Sequence, residues 1–147
     1  MGSSGESLAA VRLLIAGDQP RDRQSLEALL NALRWSNPSP TALPIEIIGE
    51  AHDGPHAVEQ VQALCPHVVV LDLPTHDSQN RAPIAESRLD GLATIRAIKG
   101  RWPAVRVVVL TLFATDRSAV MLAGADAFLL KGCTTRELLD ALTPALC

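Results

Sequence analysis

The stretch His67-Val68-Val69-Val70-Leu71-Asp72-Leu73-Pro74 constrains the fold more than any other part of the chain. Its aliphatic residues, mostly β-branched, run without polar alternation into a carboxylate and then into a proline. So short a run, with no period of two, reads as a strand covered on both faces, as the central strands of parallel sheets are. Asp72 then stands at the strand's carboxyl end. Open α/β sheets bind ligands in the crevice outside those ends, which makes Asp72 a candidate site residue. A lone aspartate could equally cap a turn, so the reading depends on what other strands bring to the same edge.

Val11 to Ala16 is a first strand that ends at Gly17-Asp18, with Gln19-Pro20 after it; proline suits a first helical turn. Leu26, Leu29, Leu30 and Leu33 recur at helical spacing and predict an amphipathic helix from about Pro20 to Trp35, with its arginines on the wet side. After a connection containing Pro38 and Pro40, Ile45 to Ala51 is a second strand. Asp53-Gly54-Pro55 opens a helix with Val58, Val61 and Leu64 on one face, and the chain returns past Pro66 to the strand ending in Asp72.

Residues 75–90 are polar, include Pro83 and show no clear period, so a long exposed loop is expected there, either a partner contact or gate or a tolerated insertion. Leu92, Ile95, Ile98 and Trp102 mark the next helix, which Pro103 ends, and Val105 to Leu110 is a fourth buried strand delivering Thr111. A short helix from Ala114 to Ala123 and the turn Gly124-Ala125-Asp126 precede a fifth strand, Ala127 to Leu130, delivering Lys131. Thr134 and Glu137 have capping-box spacing and open a last helix with Leu138, Leu139 and Leu142 inside. Five strands alternating with five helices predict an α/β fold, a doubly wound parallel sheet with helices on both faces.

Composition narrows the function classes. With 147 residues, one domain with its own core is expected. Met1 to Ala10 reads as a disordered leader or an expression scar, which leaves residues 11–147 for the domain. The aliphatic runs are too short to cross a bilayer, so no membrane association is expected. Cys65, Cys133 and Cys147 are an odd set without C-x-x-C spacing, consistent with reduced thiols in the cytoplasm. A formal charge of −3 argues against this domain holding nucleic acid directly.

Four strand ends thus bring Asp18, Asp72, Thr111 and Lys131 to one rim, the parts that phosphoryl transfer requires. Two carboxylates can hold Mg²⁺ through oxygen, and one of them can attack phosphorus to give an aspartyl phosphate. Lysine and threonine can serve the oxygens of the arriving group. From Val11 to Leu142 the chain resembles the receiver domain of two-component response regulators, a flavodoxin-like fold. Ile15-Ala16-Gly17-Asp18-Gln19-Pro20 looks like the family's acidic-pair motif and Val70-Leu71-Asp72 like its phosphoacceptor strand. Leu89-Asp90-Gly91-Leu92 is similar to its loop-to-helix junction. Val109-Leu110-Thr111 and the segment from Gly124 to Gly132 complete the pattern. The wording of that last segment is nearest to regulators with a LuxR-type helix-turn-helix output.

The resemblance implies that Asp72 accepts a phosphoryl group from a histidine kinase, in a transfer the domain itself catalyses without being a conventional enzyme. It implies Asp18, Asp72 and the carbonyl of Pro74 as ligands of Mg²⁺, Thr111 and Lys131 on the phosphoryl oxygens, and Thr111 with Phe128 as the switch pair. An output domain or partner protein that controls transcription is expected, and a homodimer is compatible with it. No output domain follows Cys147, so the expectation is either a piece of a longer regulator or a lone receiver. Gly17 departs from the family by standing where the first acid of its pair is usual, and Gly132 by following Lys131 where many receivers have proline. The rival reading is a receiver-like interaction module that works without phosphorylation. A nucleotide-hydrolase reading fails for want of a G-x-x-x-x-G-K-[ST] loop, and an Asp-x-Asp phosphatase reading because Pro74 takes the second acid's place. A metal pair at His52 and His56 is set aside because Gly54-Pro55 lies between them.

Overall fold

The computed structural model describes residues 11–17, 20–36, 45–73, 84–111 and 117–142. Strand and helix alternate as β1 (Val11–Gly17), α1 (Pro20–Ser36), β2 (Ile45–Ala51), α2 (Gly54–Leu64), β3 (Val68–Asp72), α3 (Ile84–Arg101), β4 (Arg106–Thr111), α4 (Arg117–Ala123), β5 (Ala127–Leu130) and α5 (Thr135–Leu142). The strands form one parallel sheet in the order β2-β1-β3-β4-β5. This is the doubly wound parallel sheet that the alternation predicts, in the strand order of the flavodoxin-like fold that the resemblance implies. The winding reverses between β1 and β3, so their carboxyl ends diverge into connections on opposite sides and leave a crevice there. Gly17 and Asp72 are partners in register across it.

Alternation along the strands sorts the core into two layers. Val69 and Leu71 of β3 pack with Ala57 and Val61 of α2, Ile95 and Ile98 of α3, and Val120 and Ala123 of α4. Val68 and Val70 pack with Leu26 and Leu30 of α1 and with Leu138 and Leu142 of α5. Every residue of β3 is buried, which is why its sequence shows no period.

The amino edge of the sheet spends its polar groups on connections. The Arg12 guanidinium donates to the carbonyls of Leu64 (2.7 Å) and Cys65 (3.0 Å), closing the end of α2. Lys99 Nζ donates to the carbonyls of Pro103 and Val105, both at 2.9 Å, and to Asp126 Oδ2 at 2.8 Å. Asp126 Oδ2 also accepts from the Val107 N–H at 2.8 Å, tying the α4–β5 turn to β4. The capping box of α5 forms as expected: Thr134 N–H donates to Glu137 Oε1 (2.8 Å) and Glu137 N–H to Thr134 Oγ1 (3.1 Å). At the start of α2, Asp53 Oδ1 accepts from the His56 N–H at 2.8 Å, and His56 Nδ1 accepts from the His52 N–H at 3.2 Å. These histidines serve a turn.

The long loop expected over 75–90 is corrected in part: α3 begins at Ile84, so residues 84–90 are helical, and 75–83 lie outside the described residues. Ala85, Glu86, Arg88 and Leu89 are strong helix formers, and Leu89 extends the Leu92, Ile95 spacing by one turn. The apolar residues there are too sparse to show a period, which hid the helix. Asp90-Gly91 accordingly lies within the helix rather than at its junction with a loop. Residues 114–116, expected to start α4, lie outside the described residues; the helix is seen from Arg117. Among the described residues no helix is long and apolar enough to cross a membrane.

Two glycines of α3 provide a test of this packing. A Cβ on Gly100 meets nothing within 4 Å, whereas one on Gly91 would collide with the side chain of Leu73, which is 3% exposed. Gly100→Ala should raise stability by about 0.5–1 kcal/mol in urea denaturation. Gly91→Ala should lower it by up to roughly 2 kcal/mol, as overpacking outweighs the propensity gain. Equal gains at both positions would contradict the packing of α3 on Leu73.

Candidate functional site

β3 carries Asp72 to the carboxyl edge with only 6% of its side chain exposed. A carboxylate so buried requires a counter-charge. Lys131 provides it from the end of β5, reaching across β4 to place Nζ 2.8 Å from Asp72 Oδ1 and donating to the Leu73 carbonyl at 2.9 Å. The Lys131 backbone is fixed as well, its N–H donating to the Thr111 carbonyl at 2.8 Å. Gly132 follows at φ +96°, a conformation that L side chains rarely adopt, and turns the chain away from the sheet. A backbone hydrogen bond from Leu73 N–H to the Leu110 carbonyl (2.9 Å) completes the link across β3 and β4.

The structure therefore brings together Asp72 and Lys131 and sets Thr111 beside them. Thr111 is fully buried and continues the alternation of Val107 and Val109, on the face covered by α2, α3 and α4. Phe128 is half-buried against the same layer, with the Arg117 guanidinium 5.8 Å from its ring centroid, within cation–π reach. Asp18 and Pro74 lie outside the described residues.

Arg23 is a site neighbour that the sequence did not reveal. The arginines of α1 were expected in water, and Arg23 is the exception, with 13% of its side chain exposed. Its Nη1 donates to the Gly17 carbonyl and its Nε pairs with Glu50 Oε1 at 3.0 Å. Two signals point to it: Arg23 stands at helical spacing before the buried Leu26 and Leu30, and from the first turn of α1 an arginine is long enough to fold back onto the strand end it has just left. Gly17 itself allows close approach. A Cβ there would lie 3.2 Å from Asp72 Cβ and 3.3 Å from the Asp72 carbonyl oxygen, so an acid at this position would force its neighbours to give by a few tenths of an ångström.

Between α1 and α5 a cavity of about 210 Å³ opens beside the ion pair, lined by Leu26, Leu29 and Leu138 together with Asp72, Lys131 and Cys133. Burial, then the charge of Glu137, pushes the Cys133 thiol up from its ordinary value, which keeps it protonated and unreactive at neutral pH. On the other side of α1, Glu27 is pushed up from its ordinary 4.5 by desolvation, and then by the charge and hydrogen bond of Glu50. The folded protein thus holds the Glu27 proton more tightly than the unfolded chain, and stability falls as pH rises from 4.5 through the folded-state value. Glu27→Gln should be more stable than wild type at neutral pH in thermal melts, the difference closing below 4.5. A constant difference across that range would show that Glu27 does not share a site with Glu50.

Comparison with known proteins agrees with this geometry. The profile of the response regulator receiver domain matches residues 13–143. The response regulator protein VraR of Staphylococcus aureus is 28% identical over 104 residues, covering 69% of this chain and 44% of VraR. The chain thus spans less than half the length of that relative. A two-component response regulator of the LuxR family from Aurantimonas sp. SI85-9A1 superposes with a TM-score of 0.67 at 20% identity, over 90% of this chain and 81% of the other. The signal receiver domain of NarL from Mycobacterium tuberculosis gives 0.66 at 26% identity, over 90% and 93%. The isolated receiver domain of RcsB from Salmonella enterica serovar Typhimurium, solved with the phosphomimetic BeF3−, gives 0.66 at 23%, over 91% and 86%. The profile match across the sheet and the helices on both its faces decides the family: this chain belongs to the response regulator receiver domains of two-component signalling.

Proposed function

We propose that the Asp72 carboxylate accepts a phosphoryl group from a phosphohistidine of a histidine kinase, and that the change switches a surface read by an output domain or partner protein controlling transcription. The observation that carries this reading is the pairing of a buried carboxylate with an ammonium at 2.8 Å, at the carboxyl end of the sheet's central strand. In the transfer an Asp72 oxygen attacks phosphorus, the P–N bond breaks and the O–P bond forms. The imidazole leaves with its electron pair and takes a proton. Lys131 offers its ammonium to the phosphoryl oxygens, and Thr111 its hydroxyl.

Mg²⁺ fits the chemistry of the donors, since it favours oxygen ligands, uses few carboxylates and keeps several waters. Asp72 supplies one carboxylate, and the chain passes directly from Gly17, its partner in register, into Asp18. Asp18, Asp72 and the Pro74 carbonyl would hold the ion, which would neutralise charge on the phosphoryl oxygens.

The switch follows from the connections of Lys131. Its N–H is bonded to Thr111, and β5 carries Phe128 in register with Val109. A phosphoryl group that draws Lys131 away from Leu73 biases the Thr111, Phe128 and α5 surface. The interaction-module reading, in which this surface works without phosphorylation, is favoured by one observation: Gly17 supplies no carboxylate beside Asp72.

Intact mass after incubation with acetyl phosphate and Mg²⁺ separates the two. Wild type should gain one phosphoryl group and Asp72→Asn none, while Lys131→Gln should be modified about 10²-fold more slowly. No adduct on the wild type would leave the interaction module as the better reading.

A further inference from the structure

Gly17 creates a mechanical problem at the site. It ends β1 beside Asp72, and glycine is the residue with the greatest backbone freedom. Nothing in its own side chain can hold the strand end against β3. The carbonyl of Gly17 belongs to the peptide that joins it to Asp18, so looseness there would pass directly into the start of the next connection.

Arg23 meets that carbonyl. Its Cγ lies 3.7 Å from where a Gly17 Cβ would be, and Nη1 donates to the Gly17 oxygen while Nε donates to Glu50 Oε1 at 3.0 Å. The guanidinium is planar, so contacts made from different nitrogens fix its orientation as well as its position, which an ammonium could not do. At 13% exposure it is also largely out of water, and a charge in that position is retained only where it is paired. Glu50, at the end of β2, supplies the pairing from the far side of β1. One side chain of α1 thereby ties together the carboxyl ends of β1 and β2.

We propose that Arg23 is a positioning residue for the phosphoryl site, holding the end of β1 against Asp72 in the role that a side chain at position 17 would otherwise fill, with Glu50 holding Arg23 in turn. The proposal rests on the phosphoacceptor reading and adds to it a residue that touches neither metal nor phosphate. Its sign separates it from plain electrostatics. Removing a nearby positive charge should strengthen binding of a divalent cation, whereas loosening the edge that presents its ligands should weaken it.

The test uses the whole chain and Arg23→Gln, Glu50→Gln, the double variant and Arg23→Lys, with two readings. Mg²⁺ titration followed by amide NMR shifts should show Arg23→Gln binding about 10-fold more weakly, as loss of an outer-shell partner does. Glu50→Gln should weaken binding less, the double variant no more than Arg23→Gln alone, and Arg23→Lys should restore little. Amide exchange of Gly17 and Asp72 without Mg²⁺ should quicken in Arg23→Gln while exchange in the buried centre of β3 does not. Equal or tighter Mg²⁺ binding together with unchanged exchange at Gly17 overturns the proposal. If the wild type binds no Mg²⁺, the phosphoacceptor reading fails, and exchange at Gly17 and Asp72 still decides the role of Arg23. If Arg23→Gln does not fold, Glu50→Gln decides by the same readings.

Discussion

A carboxylate with 6% exposure at the end of a fully buried strand is sustainable because an ammonium lies 2.8 Å away. Breaking such a pair from one side leaves a buried charge alone and typically costs ~3–5 kcal/mol, far more than an exposed ion pair is worth. Much of the carboxyl edge is arranged to keep Lys131 in reach. β5 ends where the Lys131 N–H can bond Thr111, Gly132 turns the chain outward, and the Thr134–Glu137 box starts α5 immediately afterwards. The Lys131 ammonium meets Asp72 Oδ1 and the Leu73 carbonyl, and a group with more negative charge on Asp72 would compete for it.

At the amino edge Arg12, Lys99 and Asp126 bond mostly to backbone, so their charges are spent holding helix ends and turns. At the carboxyl edge Lys131 pairs with Asp72 and donates to the Leu73 carbonyl, and Arg23 pairs with Glu50 and donates to the Gly17 carbonyl. Side chains bonded to backbone fix a fold, whereas paired side chains at a crevice can exchange partners when a ligand arrives. What sets the carboxyl edge apart is burial: Asp72 is 6% exposed in its pair, whereas Asp126 of the amino-edge pair is 31% exposed.

β3 was legible because a strand buried on both faces has to be written in unbroken aliphatics, and Asp72 because a charge ending such a run has nowhere to stand but the edge. Lys131 and Thr111 followed from the same rule applied to β5 and β4. The capping box of α5 could be read from two residues because its bonds are local. What escaped depends on contacts that the sequence does not place. Arg23 stands at helical spacing from the buried Leu26 and Leu30, at the edge of the apolar face, but a charged residue there names no partner, and its contacts with Gly17 and Glu50 appear only in the fold. The first turns of α3 carry too few apolar residues to show a period, so Ile84 to Asp90 read as loop. The contact of Glu27 with Glu50 lies between α1 and β2, and neither residue signals it alone.

The account rests on Lys131 changing partners when Asp72 becomes more negatively charged. A crystal structure with beryllofluoride and Mg²⁺ tests this most directly. The account predicts beryllium bonded to an Asp72 oxygen, with Lys131 Nζ moved from the Leu73 carbonyl to within about 2.7–3.2 Å of a fluorine. Beryllofluoride bound at Asp72 with Lys131 still donating to Leu73, or bound elsewhere altogether, would contradict it.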